Sequence, residues 1–295
     1  MPRILVAGCG YVGERAADLL HEAGWIVEGW TASQESAARL NDKPYRVRAV
    51  DIADVSAVSE MRSDFSAVVH CASSGGGGVE EYRRTYYEGA INLIKTFPAA
   101  TLLLTSSTSV YAQRDGSWVD ETSATEPSRE TAKILLETEM ITLAHKGIVA
   151  RLAGIYGPGR SFFLRRFLAG EANVDLTNER YVNQVHRDDI ATALILLLSH
   201  YEPLRQDATA DERNIFNVVD NRPFLTREIY EWLATHLSMP AISSGADNAS
   251  RKRGESNKRV SNRKLRALGW GPKYPTFEEG MATSVIPSFG DLHAS

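Results

Sequence analysis

Short apolar runs alternate with amphipathic stretches over the first half of the chain. The runs are rich in β-branched residues and too short for helices, which predicts strands over residues 4–7, 25–30, 46–50, 67–71, 102–105 and 148–152. Helical spacing between them predicts helices over residues 11–23, 80–96 and 128–145. Strands that are apolar on both faces and alternate with helices indicate an α/β fold with a doubly wound parallel sheet.

The alternation becomes less regular after residue 160. The pattern predicts helices over 162–168, 189–198 and 227–237, a strand over 215–219 and a polar loop over 243–258. We therefore expect one main domain formed by residues 1–160 together with 185–220. Residues 161–184 and 221–295 are expected to form a small C-terminal lobe.

Composition excludes several classes of protein. The 295 residues carry a net charge of −4, which gives no overall basic surface for nucleic acid. Two cysteines provide no disulfide framework, and the seven histidines have no metal-ligand spacing. No apolar run approaches the length of a membrane span, and the first apolar run is too short for a signal peptide. We expect a cytoplasmic protein that binds neither membrane nor metal.

A glycine-rich loop follows the first predicted strand and begins the first predicted helix. Its sequence is Gly8-Cys9-Gly10-Tyr11-Val12-Gly13. The first glycine permits a tight turn, the second lets a pyrophosphate approach the backbone, and the third lets helix and strand pack closely. The N–H groups at the start of the helix then face the phosphates. This context predicts a Rossmann-type dinucleotide-binding domain, the alternative being a glycine-rich turn without a ligand.

The residues after the second and third strands bear on the choice of cofactor. NAD-binding folds usually place a carboxylate after the second strand, for the ribose hydroxyls. Here that place holds Thr31 and Ser33, whose hydroxyls can donate to a 2′-phosphate, although the usual arginine is also missing. We predict NADP, with NAD as the alternative. Asp51 and Ile52 follow the third strand, where such folds contact adenine, but Asp51 also suits a helix cap.

Motifs spread over almost the whole chain resemble the extended short-chain dehydrogenase/reductases, in the NAD-dependent epimerase/dehydratase group. Besides the glycine loop and Lys133, they are the segments at 105–111, 151–159, 185–190 and 216–218. The C-terminal segments 259–262 and 268–270 are similar to an atypical branch of that family. The resemblance implies that the C-terminal lobe receives the substrate.

The resemblance implies two catalytic positions and exposes one departure. Ser107 corresponds to the residue that orients the substrate oxygen, and Lys133 to the lysine that holds the nicotinamide ribose. The family has its acid/base tyrosine four residues before this lysine, where this chain has Arg129. A guanidinium does not release a proton at neutral pH. The alternatives are a structural serine and a solvated lysine paired with Glu137.

Three further segments lie where the family builds its site. Tyr86 replaces an asparagine beside the active site and is a candidate relocated acid, or else a packing tyrosine whose hydroxyl caps a backbone group. Cys71 ends the fourth predicted strand, and Ala72 and Ser73 follow it, where the family backbone passes the nicotinamide ribose. The four glycines at 75–78 are equally typical of a flexible loop.

Two functions follow as alternatives. The first is an NADP-dependent oxidoreductase, epimerase or dehydratase acting on a sugar nucleotide or a related carbonyl or hydroxyl compound. Arg160, Arg166 and Arg180 in the lobe would suit an anionic substrate. The second is a catalytically silent NADP(H)-binding sensor or regulatory protein, which Arg129 favours. The resemblance also implies a homodimer that associates through the helices carrying Tyr86 and Lys133.

Overall fold

The computed structural model describes residues 2–61, 64–176, 179–200, 214–240, 243–244 and 256–290. The chain divides into two compact units. Unit 1 comprises residues 1–110, 126–151 and 190–216, and unit 2 comprises 111–125, 152–189 and 217–295. This division differs from the expected domains at 111–125, 152–160, 185–189 and 217–220, which group with the C-terminal part of the chain.

A seven-stranded sheet forms the centre of the fold. Its strands are β1 (Arg3–Ala7), β2 (Ile26–Thr31), β3 (Arg46–Ala49), β4 (Ala67–His70), β5 (Thr101–Ser107), β7 (Ile148–Leu152) and β12 (Ile215–Val218). They lie in the order β12-β7-β5-β4-β1-β2-β3. The pairings of β1 with β2 and β4, of β2 with β3 and of β4 with β5 are all parallel. The predicted doubly wound α/β fold is confirmed.

Helices follow most of these strands. Their bounds are α1 (Tyr11–Glu22), α2 (Gln34–Ala38), α3 (Val55–Ser59), α4 (Val79–Tyr82), α5 (Gly89–Thr96), α6 (Glu130–Ala144), α7 (Phe162–Leu168), α8 (Arg187–Ser199), α9 (Thr226–His236), α10 (Arg263–Ala267), α11 (Phe277–Gly280) and α12 (Ile286–Gly290). None of the helices in the described ranges is long and apolar enough to cross a membrane.

The helix predicted over residues 80–96 is interrupted by a π-helical turn. Residues Arg83–Glu88 form this turn, between α4 and α5. Such a turn inserts a residue into the helical ladder and is frequent at functional sites. The hydrophobic spacing did not predict this π-helical turn. One inserted residue rotates the apolar face of the helix by less than a third of a turn, so the spacing still resembles that of a continuous α-helix.

Short strand pairs and a separate core characterise unit 2. The pairs join β8 (Gly154–Tyr156) with β11 (Gln184–His186), β10 (Tyr181–Val182) with β13 (Phe224–Leu225), β9 (Asn173–Val174) with β14 (Ser243–Ser244) and β6 (Trp118–Val119) with β15 (Arg259–Val260). Part of the predicted loop over 243–258 is therefore strand, and residues 245–255 lie outside the described residues.

Each unit has its own hydrophobic core. In unit 1, Leu5, Trp30 and Leu93 belong to a buried cluster between the sheet and its helices. In unit 2, Phe163 and Phe277 belong to an aromatic cluster that α7 and α9 help to build. Burying large apolar side chains contributes about 1.5–3 kcal/mol each, so both clusters stabilise the units that carry the polar residues described below.

Candidate dinucleotide site in unit 1

The glycine loop is closed by two backbone contacts that leave no room for side chains. Gly8 has a φ of +96°, and a β-carbon there would lie 2.1 Å from the Ala72 nitrogen. A β-carbon at Gly13 would lie 2.1 Å from the carbonyl oxygen of Gly8. Only glycine therefore allows β1, α1 and the segment after β4 to pack this closely.

Gly10, the middle glycine of the loop, differs from Gly8 and Gly13 because the space where its side chain would lie is open. A β-carbon at Gly10 would meet no atom within 4 Å. Gly10 also precedes α1, whose backbone bonding begins with the Glu14 N–H donating to the Gly10 carbonyl at 2.7 Å. The N–H groups of the first helical turn, which include those of Tyr11, Val12 and Gly13, point out of the helix end. This open, electropositive end fits a pyrophosphate.

Cys9 turns away from this open side. Its Sγ lies 2.9 Å from the position a β-carbon would occupy on Gly29 of β2, and the side chain is buried. Burial, with the nearby Glu14 and Asp18 carboxylates, raises the pKa of the thiol to about 12. Cys9 is therefore a packing residue and not a thiolate nucleophile.

The end of β2 is hydrogen-bonded to the glycine loop. The N–H groups of Gly8 and Cys9 donate to the Trp30 carbonyl at 3.0 and 2.7 Å. Thr31 is buried, and its hydroxyl donates to the Ser33 carbonyl at 3.1 Å. Its one hydroxyl hydrogen is thus used within the protein. Ser33 is exposed and accepts the Ser36 N–H as the N-cap of α2.

Asp51 forms an ion pair that the sequence did not reveal. Its carboxylate accepts the Ala53 N–H at 3.0 Å and also pairs with the Arg84 guanidinium from the π-helical turn. Ile52 is buried beneath Gly89, where a β-carbon would lie 2.7 Å from the Ile52 side chain. Asp51 thus lies at the surface and Ile52 in the core.

The segment after β4 lies against the glycine loop. The Cys71 N–H donates to the Ala7 carbonyl at 2.7 Å, and Ala72 provides the backbone that closes on Gly8. Ser73 is exposed. Burial raises the pKa of the Cys71 thiol to about 12, so this thiol is also protonated at neutral pH. The segment at residues 71–73 thus places its backbone against the glycine loop, and neither its position nor its thiol provides a nucleophile.

Tyr86 lies beside the end of β4. Its ring stacks on His70 with centroids 6.0 Å apart and contacts Tyr82 at 5.0 Å. Burial raises the pKa of the Tyr86 phenol, and Tyr82 and Cys71 add to the rise. The hydroxyl forms no hydrogen bond with any residue of the described ranges, so it does not cap a backbone group as the packing alternative requires.

Ser107 ends β5 with a hydroxyl that is only partly used. It is half-buried and accepts the Ser109 N–H at 3.1 Å, which fixes the oxygen. Within the described parts of the chain its own O–H has no acceptor. The neighbouring Thr105 differs, because its hydroxyl donates to the His70 carbonyl at 3.0 Å.

Lys133 and Arg129 lie at the start of α6. Lys133 is exposed, and its Nζ lies 2.6 Å from a Glu130 carboxylate oxygen. The suggested pairing with Glu137 is wrong, because Glu137 pairs with Arg83 at 2.9 Å. Arg129 is the exposed N-cap residue of α6, with extended backbone, and its carbonyl accepts the Lys133 N–H.

Unit 2 contains two of the arginines predicted to suit an anionic substrate, and also a buried lysine that the sequence did not indicate. Arg160 is exposed, whereas Arg166 donates to the Glu171 carbonyl and lies over the Phe162 ring. The sequence did not indicate that Lys258 is buried, because this residue lies in a polar segment without hydrophobic periodicity. It is buried, and its Nζ donates to the Tyr111 carbonyl at 3.0 Å.

Comparison with known proteins is consistent with this geometry. The family model of the NAD dependent epimerase/dehydratase family matches residues 4–218. Protein YeeZ of Escherichia coli K12 is 32% identical over 209 residues, which is 67% of this chain and 73% of that protein.

Two solved structures share the fold. The UDP-glucose 4-epimerase of Thermotoga maritima, with UDP-glucose, has a TM-score of 0.81 at 19% identity, covering 99% of both chains. The dTDP-glucose 4,6-dehydratase of Bacillus anthracis, in complex with NAD, has a TM-score of 0.78 at 18% identity, covering 99% of this chain and 97% of that one. The glycine loop, the parallel sheet and the family match together show that the chain belongs to the NAD-dependent epimerase/dehydratase family.

Proposed function

We propose that this protein is an NADP(H)-dependent oxidoreductase or isomerase acting on a sugar nucleotide or a related carbonyl or hydroxyl compound. The observation that carries the proposal is the contrast within the glycine loop. Gly8 and Gly13 are closed by protein backbone, whereas Gly10 opens onto free space at the start of α1. A nicotinamide dinucleotide bound there would accept or donate a hydride.

Ser107 is the proposed substrate-orienting residue. Its oxygen is held by the Ser109 N–H, and its hydroxyl hydrogen is available for an oxygen of the substrate. A fixed donor that needs no reorganisation is the kind of group that stabilises charge developing on a reacting oxygen. Ser106, the neighbouring serine, instead donates to Glu139 at 2.5 Å and is buried, so it is not available.

Tyr86 is the proposed proton donor in place of the missing tyrosine at Arg129. Its raised pKa keeps the phenol protonated at neutral pH, so it can donate to a substrate oxygen but does not act as a base. We propose that Lys133 holds the nicotinamide ribose after exchanging its contact with Glu130. That exchange costs little, since exposed ion pairs contribute about 0–1 kcal/mol.

The substrate class rests on analogy of fold. By their names, two structural relatives act on UDP-glucose and dTDP-glucose, which are anionic nucleotide sugars. The exposed Arg160 in unit 2 suits a pyrophosphate-bearing substrate.

The experiment is a turnover assay with matched serine variants. The protein is incubated with NADPH or NADP⁺ and a panel of UDP- and dTDP-sugars. Reduced nicotinamide is followed by its absorbance, and chromatography detects redox-neutral epimerisation. We expect turnover on at least one substrate and its loss, by about 10²-fold or more, in Ser107→Ala. Ser109→Ala is the control, because Ser109 contributes only its backbone N–H to Ser107. Binding of NADPH without turnover on any substrate would contradict the enzymatic proposal.

A second function is supported by the start of α6. Arg129 is an exposed cap residue and Lys133 is paired with Glu130, so neither is prepared for proton transfer. A catalytically silent NADP(H) sensor would need no more than the glycine loop. Arg129→Tyr separates the two functions. Acquired or increased turnover would show that the remaining groups have working geometry, whereas unchanged tight binding without turnover favours the sensor.

A further inference from the structure

Arg259 lies between two aromatic rings of unit 2. Its guanidinium carbon is 5.2 Å from the ring centroid of Trp118 and 5.0 Å from that of Tyr181. Its Nε donates to the Gly116 carbonyl at 2.8 Å. Two cation–π contacts and one hydrogen bond therefore hold the guanidinium in place, so little rotamer freedom remains to be lost when a ligand binds.

Backbone contacts bring the two rings to the guanidinium. Gly116 has a φ of +75°, and a β-carbon there would lie 3.3 Å from the Tyr181 ring. The Gly116 N–H donates to the Asn257 carbonyl at 2.9 Å, and the Tyr181 N–H donates to Asn257 Oδ1 at 3.0 Å. Trp118 is paired in register with Arg259, as β6 is paired with β15. The arrangement thus depends on fixed backbone on both sides of the guanidinium.

Arg259 forms no ion pair with a carboxylate in the part of the chain that the structure describes. Nε is used by Gly116, but Nη1 and Nη2 have no acceptor among the described residues. Glu179 is close, since its carbonyl accepts from Asn257 at 3.4 Å, yet its carboxylate pairs with Arg227 at 2.8 Å. The protein therefore fixes a cation and leaves its outer edge open.

The open edge has the geometry that suits a carboxylate. Two parallel N–H groups, one on each Nη atom, match the two oxygens of a carboxylate. One guanidinium also balances its single negative charge, whereas a pyrophosphate with two charges requires further cations. Arg259 is half-buried and Trp118 is exposed, so this edge can be approached from solvent.

We propose that Arg259, held between Trp118 and Tyr181, binds a carboxylate group of the substrate. The substrate is then an acid, such as a sugar nucleotide whose sugar is a uronic acid. The inference deepens the proposed function and rests on it, because it takes unit 2 to receive the substrate. Arg259 is the binding residue, and the two rings are positioning residues that act through it.

The test measures binding and needs no turnover. UDP-glucuronate and UDP-glucose share the nucleotide and the pyrophosphate and differ at the carboxylate. Each is titrated into the full chain with NADPH present, and the heat of binding is measured. Free glucuronate and free glucose form a second pair that does not depend on recognition of the nucleotide.

Wild type should prefer the acid of each pair by about 10- to 100-fold, as two charge-assisted hydrogen bonds allow. Arg259→Gln is expected to abolish this preference while the affinity for UDP-glucose changes less than about twofold. Arg259→Lys keeps the charge without the planar fork and should retain only a small part of the preference.

Arg263→Gln is the matched control. Arg263 is an exposed arginine of α10 that has no ion pair or ring contact among the described residues. Its variant loses the same charge and should leave all affinities unchanged.

Two variants of Trp118 test the positioning role. Trp118→Ala should weaken the preference for the acid, and Trp118→Phe, which restores a ring over Arg259, should recover most of it. Thermal unfolding checks that each variant folds. If Trp118→Ala and Trp118→Phe bind both UDP-sugars with the same affinities as wild type, the ring does not position Arg259.

The possible failures are distinguishable. Equal affinities of wild type within both pairs overturn the carboxylate site, and so does a preference that survives Arg259→Gln. If Arg259→Gln does not fold, a full preference in Arg259→Lys overturns it. A preference that Arg263→Gln also abolishes would be a general charge effect and would overturn it too. The proposed function is judged separately, by turnover and its loss in Ser107→Ala, so its failure leaves a measured preference for the acid standing.

Discussion

Gly13 lies against Gly8 so closely that a β-carbon on Gly13 would come within 2.1 Å of the Gly8 carbonyl oxygen. The contact joins the first turn of α1 to the end of β1. Because the obstructing atom belongs to the backbone, no rotamer change relieves it. The glycine loop is thus a structural junction as well as the proposed binding site of the dinucleotide, and the two roles fall on different glycines.

Substitutions at the two glycines should therefore have different effects. Gly13→Ala is expected to lower the free energy of unfolding by about 1–3 kcal/mol, as overpacking does, and to weaken NADPH binding because the loop moves. Gly10→Ala should fold with an unchanged melting temperature and lose NADPH affinity, since its side chain would enter the open space. Thermal unfolding and NADPH titration check both. Equal loss of stability in the two variants would contradict this division of roles.

Removing one partner of a buried ion pair should strongly destabilise unit 1. Arg151 Nη2 lies 2.7 Å from Glu139, both side chains are buried, and Ser106 donates to the same carboxylate. Glu139→Leu is expected to lower the free energy of unfolding by about 3–5 kcal/mol, because it leaves a buried guanidinium without its partner.

The double substitution Arg151→Met with Glu139→Leu is the matched control. It removes both charges and should recover most of the stability that the single variant loses. Chemical denaturation of the three proteins measures this. If the double variant is no more stable than Glu139→Leu alone, the unpaired guanidinium is not the cause of the loss.

Lys258 should make stability depend on alkaline pH. Burial lowers the pKa of Lys258 from 10.5 to about 8. Between these values the unfolded chain binds more protons than the folded one, so the contribution of Lys258 to stability rises with pH across this window. Below about pH 8 the folded protein contains the buried, charged ammonium, and its burial lowers stability by the full amount. Lys258→Met should flatten the profile between pH 8 and 10.5 relative to wild type.

Lys95→Met is the control for Lys258, because Lys95 is an exposed lysine of α5. Its variant should keep the wild-type slope. Denaturant midpoints at a series of pH values give the comparison. Parallel profiles for wild type and Lys258→Met would show that Lys258 does not titrate in this range.

Tyr86→Phe should separate stability from turnover. The hydroxyl has no hydrogen-bond partner among the described residues, while the ring stacks on His70. Removing the oxygen should therefore change the free energy of unfolding by less than about 0.5 kcal/mol. If Tyr86 donates the proton, turnover should fall by about 10²-fold or more. Tyr82→Phe, on the neighbouring ring, should leave turnover unchanged, and an unchanged rate in Tyr86→Phe would exclude the donor role.

The sequence by itself determined the strand positions and the glycine loop. These features are local. Apolar runs identify buried strands because every residue of such a strand is covered, and Gly8, Gly10 and Gly13 identify a backbone geometry that other residues prevent. The family resemblance also rests on short local segments of the sequence. The family model, which matches residues 4–218, confirms this resemblance.

Only the tertiary structure decided which partners the polar side chains find. Lys133 pairs with Glu130 and not Glu137, because Arg83 from another helix takes Glu137. The Thr31 hydroxyl points inward, whereas α2 brings Arg39 to Ser36. Lys258 is buried although its segment is polar. Hydrophobic periodicity reports which face of an element is covered, but a hydrogen bond depends on distances of a few ångströms between elements far apart in the chain.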